Sequence, residues 1–168
     1  RFGKSLFLST LAAYFLGQKE LFKGLFLEQA EEELAVQENR GTWQEYPVLY
    51  LDFNAKNYSD TQALIDILNL HLNEWETQYM VSVTAGAPED RLRLLISALF
   101  KQTGKQVVIL VDEYDKPLLQ TMGVNETLNE QYRNMLKAFY SVIKTCDEYI
   151  RFAFLTGVTK FSKISIFS

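Results

Sequence analysis

Two groups of residues in this 168-residue chain have types and spacing suited to chemistry on a charged ligand. The first is Asp112-Glu113, two adjacent carboxylates that end the apolar run Val107-Val-Ile-Leu-Val111. A buried carboxylate is costly and two side by side more so, which calls for a cation or a bound water as a partner. The second is Gly3-Lys4-Ser5, directly before a stretch with helical spacing. A helix N-terminus offers unpaired N–H groups and a positive dipole end, and both suit a phosphate. Read alone, each group also has a plainer meaning. The acids would then close a strand on a solvated turn, since Asp115-Lys-Pro117 spells one, and Ser5 would be a mediocre cap on an exposed helix.

The surrounding elements decide where these groups stand. Val107 to Val111 is β-branched and aliphatic without polar alternation, as in an inner strand of a parallel sheet covered on both faces. Val48-Leu-Tyr-Leu-Asp-Phe53 is a second such strand ending near an acid, and Asp52 is expected to pair with a loop N–H there. Arg151-Phe-Ala-Phe-Leu155 is a third, followed by Thr156. Between them lie helical patterns. Leu8, Leu11, Ala12 and Phe15 follow Gly-Lys-Ser; Glu20 to Asn39 holds one or two helices whose acids read as a solvated face; Asp60 caps a helix over Thr61 to about Met80. Pro88-Glu-Asp starts another that runs to Thr103, and a last one spans Asn129 to about Asp147. Leu118 to Leu128 is a loop or short helix. Strand alternating with helix means α/β with a parallel sheet, and in such sheets ligands bind at the carboxyl ends of the strands.

Composition narrows the classes. With 48% hydrophobic and 14% aromatic residues the chain has ample material for one core, and its net charge of −4 gives no support to a nucleic-acid partner, although a local basic groove is allowed. The lone Cys146 forms no internal disulfide, His71 has no second histidine with which to build a zinc site, and no apolar run is long enough to span a membrane. A cytoplasmic location follows as the expectation. The chain starts at Arg1 without a leader-like series and stops at Ser168 without a stop signal, so residues 1–168 read as a single truncated domain.

The residues so far resemble a known family. Arg1-Phe-Gly-Lys-Ser-Leu6, Tyr14-Phe-Leu-Gly17, Tyr46-Pro-Val48, Val111-Asp-Glu-Tyr-Asp-Lys-Pro117 and Phe154-Leu-Thr-Gly-Val-Thr-Lys-Phe-Ser162 are similar to the AAA-ATPase-like domain of bacterial proteins that often carry a PD-(D/E)XK nuclease-like region further on. The resemblance implies a three-layer P-loop NTPase fold, with a parallel sheet between helices and its first and last core strands outside this chain. Val107 to Val111 would lie in the middle, flanked by Val48 to Phe53 and by Arg151 to Leu155. It also implies ATP and Mg²⁺ as cofactors. Gly3, Lys4, Ser5 and Leu6 would hold the phosphates, Ser5 and Asp112 the metal, Glu113 would act as the base, and Thr156 would sense the γ-phosphate or hold the attacking water. Of the full phosphate-loop pattern only Gly3-Lys4-Ser5 is present, and in this family an arginine stands where the usual first glycine would be. Arg1 looks like the last arginine of that loop.

The implied function is ATP binding and hydrolysis that drives or gates an attached effector, nuclease-like in the relatives. The alternative is a nucleotide-binding switch or scaffold that no longer hydrolyses. A nuclease within this chain is disfavoured, because none of its 21 acids is followed two residues later by lysine. An oligomer with an arginine finger from Arg91, Arg93, Arg133 or Arg151 stays open, as does GTP in place of ATP. An isolated fragment with an open apolar sheet edge is expected to aggregate and to bind ATP poorly.

Overall fold

A computed structural model describes residues 3–158. Arg1, Phe2 and the Thr159-Lys-Phe-Ser162 stretch lie outside them. Three strands, β1 (Val48–Asp52), β2 (Val107–Asp112) and β3 (Ile150–Leu155), form a parallel sheet in the order β1-β2-β3. All six residues of β2 are buried, which is what its unbroken apolar run anticipates for a central strand.

The pleat sends alternate side chains to opposite faces. On one face Val48, Val108 and Leu110 pack against Leu8 and its neighbours on α1 (Lys4–Phe15). On the other, Leu49, Leu51, Ile109 and Val111 meet α3 (Thr61–Gln78), α4 (Pro88–Thr103) and α6 (Glu126–Thr145) in a larger core. Helix, sheet and helices thus make three layers. Each fully buried Leu or Ile of this sandwich contributes about 1.5–3 kcal/mol relative to an exposed position.

Local chemistry sets the helix ends. Asp60 accepts the Ala63 N–H at 3.0 Å to start α3, and Pro88 with Glu89 and Asp90 forms the first turn of α4. The stretch left open by sequence, Leu118 to Leu128, contains the end of a short helix, α5 (Lys116–Thr121), and the start of α6. The last helix starts at Glu126 rather than Asn129, because the Asn125 side chain caps it by accepting the Leu128 N–H at 3.0 Å. No helix among the described residues is long and apolar enough to cross a membrane.

One acid departs from the solvated face expected of its run. Glu31, on α2 (Phe26–Gln37), is 3% exposed and receives both guanidinium nitrogens of Arg40, Nη1 at 2.6 Å and Nη2 at 3.0 Å. It also accepts the Tyr14 hydroxyl at 2.6 Å and the Trp43 N–H at 3.1 Å. Arg40, helped by Tyr14 and Trp43, outweighs the burial and lowers the Glu31 carboxyl to about 2, whereas burial first and then Glu31 push the Tyr14 hydroxyl up to about 12. The cluster ties the far end of α1 to α2 and to the segment leading into β1.

Candidate functional site

Parallel pairing brings all three strand ends to one edge, with Asp52 opposite Asp112 and Val111 opposite Leu155. The start of α1 lies over the same edge, where Phe7 meets Phe154 edge-to-face at 5.5 Å. Gly3 precedes the helix with φ +111, a backbone angle that an L side chain rarely adopts. The first backbone hydrogen bond of the helix runs from the Phe7 N–H to the Gly3 carbonyl at 2.7 Å. The Lys4, Ser5 and Leu6 amides therefore belong to the orphan donors of a helix start. The Leu6 side chain is exposed, so only its backbone can serve the site.

Asp112 is 1% exposed with both oxygens engaged: Oδ2 accepts the Ser5 hydroxyl at 2.5 Å and Oδ1 the Thr156 hydroxyl at 2.6 Å. These bonds offset the cost of burying it. After Asp112 the chain turns through Glu113 at φ +54, left-handed backbone that costs a non-glycine residue roughly 1–3 kcal/mol and concentrates at functional sites. The Glu113 carboxylate then meets Lys4 Nζ at 2.6 Å, and its N–H donates to the Thr156 hydroxyl oxygen at 3.3 Å. Lys4 also reaches the Gly157 carbonyl at 3.4 Å. The structure thus brings Gly3, Lys4, Ser5, Asp112, Glu113 and Thr156 to one place from three distant parts of the chain.

The donors fit a magnesium ion. Ser5 and Asp112 would supply it hard oxygen ligands, while among the described residues no group of three or more His, Cys, Asp or Glu side chains could hold a metal by itself. A site with one carboxylate and one hydroxyl leaves room for waters and phosphate oxygens, the usual company of Mg²⁺. Asp52, read as a loop partner, accepts the Asn54 N–H at 2.7 Å. His71 lies within α3 and contacts Glu74 through Nδ1 at 3.1 Å.

Sequence reasoning missed two participants. Tyr50 lies close enough to Asp112 that, after burial, the acid's charge helps push the phenol up to about 12, which keeps its proton in place. Gly157 supplies a carbonyl to Lys4 and packs against Tyr114 so closely that a Cβ would lie 2.3 Å from the ring. Nothing in a bare Thr-Gly pair announces that contact. Gly157→Ala is expected to destabilise the fold by about 1–3 kcal/mol, read in urea unfolding, because the Tyr114 ring is itself buried and has little space to yield.

A family model described as "Predicted AAA-ATPase" matches residues 1–167. The chain is also similar to a protein of Azotobacter chroococcum mcd 1 described as "Uncharacterized protein in vnfD 5'region", 40% identical over 169 residues. That match takes in 100% of this chain and 31% of the relative, so the chain spans about a third of the relative's length. No solved structure matches.

Proposed function

The chain belongs to the AAA-ATPase-like family, and on that premise we propose that it binds ATP with Mg²⁺ and hydrolyses the γ-phosphate. The observation that carries this reading is the meeting of a helix start bearing Lys4 and Ser5 with the acid pair at the end of the central strand. The orphan amides from Gly3 to Leu6 and the Lys4 ammonium would cradle the phosphates. Ser5 and Asp112 would hold the metal, which supplies neutralising charge to the phosphate oxygens. Glu113 would orient and deprotonate the attacking water. Thr156, between the two acids, would hold Asp112 in line and reach the same water.

Lys4 divides three N–H donors among Glu113, the Gly157 carbonyl and any phosphate. Nucleotide entry would draw the ammonium toward the phosphate and loosen its hold on the Glu113 carboxylate as a substrate is seated. The energy released would gate a further region of the polypeptide, for which a nuclease-like effector is the leading idea and a cytoplasmic setting the natural one.

The test is Mg²⁺-dependent ATP binding and phosphate release by the full-length protein beside Lys4→Ala. Losing one charge-assisted set of phosphate contacts is expected to weaken ATP binding by about 10- to 100-fold and to remove turnover with it. Wild-type binding without turnover would favour the switch reading, and absence of binding would make the fold a scaffold.

A further inference from the structure

We infer that Asp115 is a positioning residue of this site, resting on the ATPase reading above: it holds the exit of β3 so that Thr156 and Gly157 present their oxygens to Asp112 and Lys4. Asp115 stands just before α5, where an aspartate would ordinarily cap the helix, yet its side chain makes no cap hydrogen bond. It turns instead toward β3 and accepts the Val158 N–H at 2.9 Å, across 43 residues of sequence. The residue is 0% exposed. A carboxylate so deeply buried is costly, and forgoing a local cap for a distant amide adds to the case that its place serves the β3 exit.

The neighbouring contacts show how the hold is made. The Tyr114 N–H donates to the Thr156 carbonyl at 2.8 Å, and the Thr156 N–H donates to the Val111 carbonyl at 2.8 Å. A Cβ on Gly157 would lie 2.6 Å from Tyr114 Cδ1 and 2.7 Å from Asp115 Oδ1, so the backbone there lies flush on the Tyr114-Asp115 pair. Residues 156 and 158 are thereby fixed on either side of Gly157. The Thr156 hydroxyl and the Gly157 carbonyl, which project from that clamped segment, are the groups that touch Asp112 and Lys4. On the other side Lys116 Nζ donates to the Asn54 carbonyl at 2.8 Å, tying the same connection to the exit of β1. Asp-Glu-Tyr-Asp-Lys is in this sense one device. Its first two acids face the ligand and its last two charged residues hold the neighbouring strand ends.

The experiment compares the full-length wild type with Asp115→Ala and Asp115→Asn, at a temperature well below the unfolding of each, measuring ATP affinity and kcat separately. Asp115→Ala removes the acceptor for the Val158 N–H, and a misplacement of Thr156 of about 1 Å is expected to lower kcat by about 10²-fold with little change in affinity. Asp115→Asn retains an acceptor oxygen and is expected to restore most of kcat. Unchanged kcat in Asp115→Ala, or loss of kcat in step with affinity and without rescue by Asn, overturns the inference while leaving the ATPase reading intact. A wild type without turnover overturns both. Should Asp115→Ala fail to fold, amide exchange of Val158 in the wild-type protein decides: protection is expected, and exchange at the rate of an open loop overturns the assignment.

Discussion

Glu113→Gln is expected to leave ATP binding equal to wild type or a few-fold tighter while turnover falls by about 10²–10⁴-fold, the usual contribution of a general base. The two halves have separate causes. Gln keeps the size and shape of the side chain, and backbone geometry at φ +54 makes no new demand on it. What disappears is the proton acceptor. Affinity rises rather than falls because Gln no longer holds Lys4 as Glu113 does at 2.6 Å, and a partly exposed pair of this kind is worth about 1 kcal/mol, or some five-fold in binding. Parallel measurements of binding by titration and of phosphate release would check both parts. Turnover that persists in the variant would remove Glu113 from the role of base.

Glu31→Ala is expected to cost about 3–5 kcal/mol in urea unfolding, the penalty for breaking a buried ion pair by removing one partner. Arg40 would keep its bonds to Glu38 and to the Gly41 carbonyl, and Tyr14 and the Trp43 amide would lose their acceptor. Acid should act on the wild type in the same way. The folded carboxyl titrates near 2 against an ordinary 4.5, so the unfolded chain binds the proton more readily. The contribution is then whole above about pH 4.5 and is lost as pH falls toward 2, an amount of roughly 3 kcal/mol by linkage. Glu31→Gln, which has no such proton to bind, is expected to show a flatter loss of stability over that window. An identical acid slope in the variant would disprove the assignment.

The difference between these two acids also marks what sequence could and could not disclose. Asp112 and Glu113 were legible because they end an apolar run that can only be a buried strand, and strand order then placed them at the ligand edge. Gly3-Lys4-Ser5 was legible because it opens a helix. The three-strand order was readable from the family resemblance, and the register followed only with coordinates. Glu31 was not legible, since it stands among Glu28, Glu32 and Glu33 and nothing in the run says which one faces Arg40 and Trp43. Asp115 was ambiguous for a related reason. Asp-Lys-Pro reads locally as a turn, whereas its carboxylate is spent on an amide 43 residues away. Contacts over that separation leave no periodic trace, and a cap that is not used looks in sequence the same as one that is. The start of α6 was misplaced by three residues because Asn125, a good cap, was read as part of a loop.

The Lys4–Glu113 pair gives this site a tenant of its own. On the proposed ATPase reading, the ammonium would have a carboxylate 2.6 Å away to return to once product phosphate departs, so the empty state would leave neither charge unpaired. An incoming nucleotide would meet an internal competitor at fixed and very high local concentration. Its apparent affinity would be the intrinsic one multiplied by the fraction of molecules in which the pair stands open. Every ligand that needs Lys4 would be weakened by the same factor, so a weak one such as free phosphate would fall below occupancy at concentrations where a triphosphate still binds. A threshold that free phosphate fails to cross would then arise from what the protein does to itself in the ligand's absence.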